Sequence, residues 1–215
     1  MTTAEKLSKV YVGVEKTEAL NAELEQALYG TNEGVKSFYD EFWDAYQQNG
    51  QRGAWANAFY NIGWDDISYN PKYPIKGGRG ENCYAMFGYS AITDTKVDID
   101  MSMAGQTGSF FVSCFYLKTI RHIKIHENET FTSWFTNCNA LENITFDGTI
   151  AQNGLNLQWS TKLSRASIEN IIGCLSPNTT GLTVTLSKTA KEAAFTADEW
   201  DALIATKTNW TISLV

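Results

Sequence analysis

The sequence is short of basic charge and has no long apolar run. Its 17 Lys and Arg residues are outnumbered by 24 Asp and Glu residues, which gives a formal net charge of −7. A phosphate backbone would be repelled on average, and the basic residues form no stripe, so we expect no nucleic-acid partner. No apolar stretch reaches the roughly 20 residues that a membrane-spanning helix needs, so we expect no membrane insertion.

The cysteines are too widely spaced to indicate a metal site or a redox motif. They stand at positions 83, 114, 138 and 174, and no CxxC pair occurs. Free buried thiols are therefore favoured over disulfides. The opening segment Met1–Lys6 lacks the basic-then-apolar order of a secretion signal, and the end of the chain carries no sorting or lipidation motif. We expect a protein that is made in a cytoplasm and does not leave by the signal-peptide route.

Residues 1–30 carry a heptad pattern. Apolar or small side chains recur at spacings of three and four between charged positions, which predicts an amphipathic helix with a coiled-coil-like seam. An isolated helix of this length is marginal in water, so the seam needs a partner. Self-association as a dimer or trimer is the favoured interpretation, and packing on the chain's own domain is the alternative. The predicted seam consists of Leu7, Val10, Val14, Asn21, Leu24 and Leu28.

A second amphipathic helix is predicted after the glycine-containing break at residues 30–34. Beyond it, residues 51–82 are predicted to be irregular, because Gly and Pro interrupt every pattern. Aromatic residues are frequent in this stretch, which we interpret as a cap over the open end of a stacked core. A binding surface is the alternative, with Trp55 and Trp64 as possible ligand contacts.

Residues 85–148 contain three copies of a 24-residue unit, of which the first is degraded. In the two good copies an aromatic pair is followed at intervals of three residues by Cys, Leu and Ile. This spacing predicts a short helical turn, and the alternation after it predicts a short strand. Stacking would place equivalent side chains over one another and close a core that one copy cannot form alone. The predicted core columns are Phe87, Phe111 and Phe135; Ser90, Cys114 and Cys138; Leu117 and Leu141; and Ile120 and Ile144.

Beyond Gly148 the period is lost and a different ending is predicted. Residues Thr196–Glu199 form a capping box that opens a helix, and residues 210–214 alternate as a strand. The predicted fold class is α+β: N-terminal helices with a short coiled-coil-like segment, then a small leucine-rich-repeat-like solenoid, then a strand–helix–strand C-terminal cap. The predicted regions are a helical oligomerisation or docking segment at 1–30, a helix with an aromatic-rich capping region at 31–82, the solenoid at 83–160 and the cap at 161–215.

No catalytic constellation stands out in the sequence. His122 and His126 would lie on one face of a strand but about 13 Å apart, at about 3.3 Å per residue, which is too far for one metal ion. Asp94, Asp98 and Asp100 lack the spacing of a calcium loop and are interpreted as a solvated turn. We therefore predict a non-enzymatic protein without a metal or a cofactor.

Several stretches resemble a known repeat family. The unit Ser133–Ile144 resembles the BspA-like leucine-rich repeats of bacterial surface proteins, and Ala85–Ser90 is similar to the opening of that repeat. Phe42–Gly50 is similar to the N-terminal region, and Ser164–Thr211 to the C-terminal portion, of repeat proteins encoded by phages and prophages of gut Firmicutes. Together these stretches cover most of residues 35–215. The resemblance implies a virion or host-surface component used for attachment or assembly.

The functional prediction that follows is a non-enzymatic structural or adsorption component of a bacteriophage particle, of tail, baseplate or fibre type. Expected partners are further copies of the chain, other virion proteins and a host-surface glycan or protein. The missing export signal favours the virion over the bacterial cell surface as the location. A glycan- or protein-binding bacterial surface module is the alternative, and a hydrolase of the host wall is a third hypothesis.

Overall fold

The structure, a computed structural model, describes residues 54–61, 71, 74–126 and 128–215. These residues form a mixed α/β fold with two parallel sheets. The first sheet has the order β1-β2-β3-β4. Its strands are β1 (Ile75–Lys76), β2 (Ile99–Asp100), β3 (Thr119–Lys124) and β4 (Asn143–Asp147).

The second sheet and the helices lie in the C-terminal part of the chain. Strands β5, β6 and β7 pair in sequence order, and all of their pairings are parallel. The elements are β5 (Asn156–Leu157), α1 (Arg165–Cys174), β6 (Leu182–Leu186), α2 (Lys188–Ala194), α3 (Ala197–Ile204), a 3₁₀ turn (Ala205–Lys207) and β7 (Trp210–Leu214). Within the described residues, no helix is long and apolar enough to cross a membrane.

This architecture corrects the fold-class prediction. An α+β fold with N-terminal helices, a leucine-rich-repeat-like solenoid and a strand–helix–strand cap is wrong, because the described residues form a mixed α/β fold with two parallel sheets. Two helices and a 3₁₀ turn, rather than one helix, connect β6 to β7. The predicted N-terminal helices, with the seam from Leu7 to Leu28, lie outside the described residues. Local patterns indicate strands and helices, whereas the direction in which strands pair is set by tertiary contacts.

Strand pairing in the first sheet follows the 24-residue spacing of the sequence. Ile75 pairs with Ile99, and Ile99 pairs with Ile123. Ile120 pairs with Ile144 in the same way, but the register of β3 and β4 then shifts between Ile120 and His122. Each unit therefore contributes one strand to the sheet, and equivalent side chains lie beside each other.

The aromatic part of each unit is a tight turn and not the predicted helical turn. Residues 84–89, 108–113 and 132–137 form these turns. Ser109 and Ser113 both have positive φ angles, of 58° and 57°, and the equivalent positions in the neighbouring units do too. Backbone N–H groups then alternate in direction: Phe87 donates to Phe110 of the next unit at 2.9 Å, whereas Ser90 donates within its own turn to Phe87 at 3.0 Å. A helix would direct all of these N–H groups along its own axis.

Stacked phenylalanine rings form the centre of the core. The ring centroids of Phe59 and Phe87 are 5.0 Å apart, those of Phe87 and Phe111 are 5.2 Å apart, and those of Phe111 and Phe135 are 5.9 Å apart. Successive ring planes lie within 22° of each other. These distances are typical of offset stacking, which adds about 0.5–1.5 kcal/mol per pair beyond area burial. Phe59 lies ahead of the repeat and extends the ladder by one ring.

The column of small residues lies beside this ladder. The thiol of Cys114 donates to the carbonyl of Phe87 at 3.0 Å, and the thiol of Cys138 donates to the carbonyl of Phe111 at 3.1 Å. The thiols therefore link each unit to the one before it. The ten side chains proposed for the repeat core are all buried: Phe87, Phe111, Phe135, Ser90, Cys114, Cys138, Leu117, Leu141, Ile120 and Ile144.

Helix α1 covers the free edge of β4 with two side chains. Ser167 Oγ accepts a hydrogen bond from the N–H of Ile144 at 2.9 Å and donates to the carbonyl of Glu142 at 3.2 Å. Asn170 Oδ1 accepts from the N–H of Phe146 at 2.7 Å, while its Nδ2 donates to the carbonyl of the same residue at 3.2 Å. Ser167 and Asn170 share a helix face because they are three residues apart. An open edge strand is a template for unwanted pairing, so α1 ends the first sheet by supplying the bonds of a further strand.

Further contacts fix the C-terminal elements. The predicted capping box is confirmed, since the side chains of Thr196 and Glu199 each bond to the other's backbone N–H. Arg165 donates to Glu199 at 2.7 Å and joins α1 to α3. This hydrogen bond, helped by those from Thr196, lowers the pKa of Glu199 to about 2. Lys207 Nζ donates to the carbonyl of Gly173 at 3.0 Å, at the last turn of α1.

Removal of the Asn170 side chain tests the edge-covering role of α1. Asn170→Ala deletes both bonds to Phe146, and we expect a loss of about 1–3 kcal/mol in the free energy of unfolding. The better helix propensity of Ala offsets up to about 0.7 kcal/mol of this loss. Urea denaturation measures the change, with Asn139→Ala, at an exposed asparagine, as the matched control. Equal free energies of unfolding for the two variants would contradict the role of Asn170 in covering the edge of β4.

Candidate functional site

Both histidines lie in the described part of the chain, and each is within hydrogen-bonding distance of another residue. Within the described ranges, no group of three His, Cys, Asp or Glu side chains could hold a metal ion. His122 Nδ1 lies 3.1 Å from Asp147 Oδ2 at the surface, and His126 Nδ1 accepts the N–H of Asn128 at 3.1 Å. These contacts are those of exposed loop and strand residues.

The cysteines are held as neutral thiols. All four are free, as their spacing predicted, and Cys83, Cys114 and Cys138 are buried. Burial raises the pKa of Cys114 to about 11 and also raises the pKa of Cys138. The thiolate is the nucleophilic form of cysteine, so burial disfavours the reactive form of these two side chains.

Trp55 is not the ligand contact that the sequence suggested. Its side chain is only 2% exposed, and its Nε1 donates to the carbonyl of Lys76 at 2.8 Å. Trp55 is buried because the backbone of residues 55–61 adds a further turn to the stack, with the N–H of Trp55 bonded to Asn82 at 2.9 Å. The burial of Trp55 does not support the alternative in which it contacts a ligand. Trp64 lies outside the described residues.

Three of the exposed aromatic side chains in the described part of the chain are tyrosines that lie close together. Tyr60, Tyr84 and Tyr89 are 45%, 48% and 52% exposed, and all three line one open groove of about 540 Å³. We call it the tyrosine groove. The side chains or backbone of four uncharged residues complete its lining: Asn57, Ala85, Ser109 and Val112.

Each of two tyrosine rings lies against a glycine of the next unit. A Cβ atom at Gly88 would approach a ring carbon of Tyr60 to 3.1 Å, and one at Gly108 would approach the ring of Tyr84 to 3.3 Å. Ser109 Oγ donates to the hydroxyl of Tyr84 at 3.2 Å. The missing side chains at the two glycines therefore leave the space in which the rings lie.

A second depression also borders Tyr84. It has a volume of about 370 Å³, and Tyr84 is the residue that its lining shares with the tyrosine groove. We call it the polar branch, after the side chains of Gln106, Thr130 and Thr132 that line it. Glu129 also lines it, but this buried carboxylate already accepts from the Thr107 hydroxyl and from the N–H of Phe131.

Sequence reasoning missed both depressions. The signal was present, because Tyr84 and Gly108 are 24 residues apart and so occupy one column of the repeat. A large ring followed by a glycine in the same column indicates that the ring can lean over the next unit. The same logic does not reveal Tyr60, since the turn that carries it precedes the regular period.

Comparison with known proteins gives no relative for this chain. No family model, no curated protein and no solved structure matches it. The groove is therefore interpreted from its own geometry.

A side chain at Gly108 should disturb Tyr84. Gly108→Ala places a methyl group against the ring, and we expect it to lower the free energy of unfolding by about 1 kcal/mol through overpacking. The control is Gly173→Ala, where a Cβ meets nothing within 4 Å; its helical position predicts no loss or a gain of up to about 1 kcal/mol. Thermal and urea unfolding of both variants make the comparison. A neutral Gly108→Ala would show that Tyr84 does not depend on the space at this glycine.

Proposed function

We propose that the chain is a non-enzymatic structural or adsorption protein of a bacteriophage particle, of tail, baseplate or fibre type, that contacts the host surface. The observation that carries the proposal is the tyrosine groove. The resemblance of the repeat unit to BspA-like repeats encoded by phages and prophages of gut Firmicutes gives the biological setting.

The groove has the properties of a contact surface. Tyrosine offers a large flat area at a small cost in side-chain entropy, and it is enriched in the centres of binding interfaces. Here the rings project from turns whose backbone is bonded to the neighbouring units, as between Ala85 and Gly108 at 2.9 Å and between Ser109 and Thr132 at 2.7 Å. A contact surface on such a fixed backbone loses little freedom when a partner binds.

A glycan- or protein-binding module of a bacterial surface is the second candidate. The tyrosine groove favours it equally, because the same contact chemistry would serve on a cell envelope. The two candidates differ in where the protein is found.

Location is therefore the first test. Particles induced from the strain that encodes the chain are purified on a density gradient and probed with an antibody against it. We expect the antigen to sediment with intact particles and to be labelled on them by immunogold electron microscopy, because a virion protein remains bound through purification. Antigen confined to the envelope of uninduced cells would overturn the virion proposal in favour of the surface module.

Self-association through residues 1–30 is the second element of the proposal. Size-exclusion chromatography with light scattering is expected to give two or three times the 24.0 kDa of one chain. Leu24→Glu places a charge in the predicted seam and should shift the mass to that of one chain, while Glu25→Gln on the predicted solvated face should leave the mass unchanged. A strict monomer for the unaltered chain would count against self-association.

A further inference from the structure

We propose that the tyrosine groove and the polar branch together bind an uncharged glycan of at least two sugar residues, with the ring of Tyr84 as the platform beneath it. The inference rests on the proposed function only in assigning this groove as the contact surface. The aromatic contact in this proposal is the exposed Tyr84, and not Trp55, which is buried.

The charge of the groove limits the class of ligand. None of the seven residues that line it carries a charge, and the polar branch adds only His126 and Glu129, whose carboxylate already accepts two hydrogen bonds. Recognition of phosphate or carboxylate ordinarily uses Arg or Lys, and recognition of an amine uses a carboxylate. The groove offers ring surface and hydroxyls, with Ser109 Oγ bonded to the Tyr84 hydroxyl and Asn57 also in the lining. A neutral ligand with both C–H surface and hydroxyl groups matches this lining.

About half of each tyrosine side chain is exposed, so ring surface is available to a flat, partly apolar ligand. The rings of Tyr60 and Tyr89 are 5.4 Å apart and inclined at 56°, so neither covers the other face to face. Tyr84 is held at its hydroxyl by Ser109 and lies over Gly108, yet about half of its side chain is exposed. A pyranose has a C–H face that can lie on such a ring, and a rim of hydroxyls that needs polar partners.

The polar branch, which also borders Tyr84, supplies those partners. Gln106 offers an amide, and Thr130 and Thr132 offer hydroxyls that lie 3.4 Å from each other. Ligand sites of about 300–1,000 Å³ are usual for small molecules, and the two depressions, of about 540 and 370 Å³, share Tyr84 as a common wall. A ligand that fills both must pass over Tyr84, so it contains at least two linked rings.

A proline-rich peptide is the main competing occupant, because extended proline helices also bind aromatic grooves. The polar branch favours the glycan, since amide and hydroxyl side chains continue the groove where a proline ligand would need further apolar surface. The peptide is therefore an outcome of the test rather than part of the proposal.

The test begins with the full chain on an array of neutral mono- to hexasaccharides and neutral wall polysaccharides of Gram-positive bacteria. The strongest neutral oligosaccharide is then titrated by calorimetry. Tyr84→Ala and Tyr84→Leu are expected to weaken binding by about tenfold or more, the effect of removing a central aromatic contact. Tyr84→Phe should stay within about threefold, since the ring remains while only its hydrogen bond is lost.

Tyr116→Ala is the matched control. Tyr116 is 48% exposed, as Tyr84 is, but it does not line the groove, so its loss should leave binding unchanged. Thermal unfolding of every variant separates a lost contact from a lost fold, and Tyr84→Leu keeps apolar bulk should the Ala variant unfold.

Three results would overturn the inference: no binding to any neutral saccharide, glycan binding that survives Tyr84→Leu, or binding of a proline-rich peptide without any glycan. Particles that carry the antigen but bind no saccharide would leave the virion proposal standing and remove the glycan. Glycan binding by a chain whose antigen is absent from particles would support the glycan site and overturn the virion proposal.

Discussion

Backbone hydrogen bonds between successive units hold the first half of the described chain together. In the strands, Ile75 bonds to Asp98, and in the turns, Phe87 bonds to Phe110 and Phe111 bonds to Trp134. Because turn and strand both pair across nearly the same distance along the chain, side chains in equivalent positions must lie over one another. The phenylalanine ladder and the contact of a tyrosine with the next glycine are two results of this one constraint.

Periodicity alone placed the side chains of the repeat in columns, and those columns are where the buried rings and thiols lie. The backbone between them could not be inferred in the same way. Ser109 and Ser113 adopt positive φ angles without being glycine, and they are stabilised by bonds to other units rather than by local preference. A helix and this turn share the same apolar spacing, so the sequence does not distinguish them. Parallel pairing of β5, β6 and β7 is likewise a tertiary property that no segment encodes.

For the candidate site, residue type alone does not show which aromatic side chains reach the surface. Trp55 is one of the two possible ligand contacts in the alternative to a capping role, yet its Nε1 donates to the carbonyl of Lys76 and its side chain is buried. Tyr84 has a hydroxyl that can remain at the surface and a glycine beneath its ring. Whether an aromatic residue faces inward or outward depends on the neighbouring unit, which is known only once the register is known.

The hydrogen bonds from α1 to the last strand of the first sheet reach backbone atoms, those of Glu142, Ile144 and Phe146. Because α1 bonds to backbone atoms and not to side chains, it can cover the edge of the last strand whatever side chains that strand carries. Duplication or deletion of one whole unit upstream of β4 would therefore change the length of the molecule without a new terminus having to evolve. An insertion of half a unit would present α1 with a turn in place of a strand. Growth of this protein by whole units would therefore leave the hydrogen bonds of α1 unchanged.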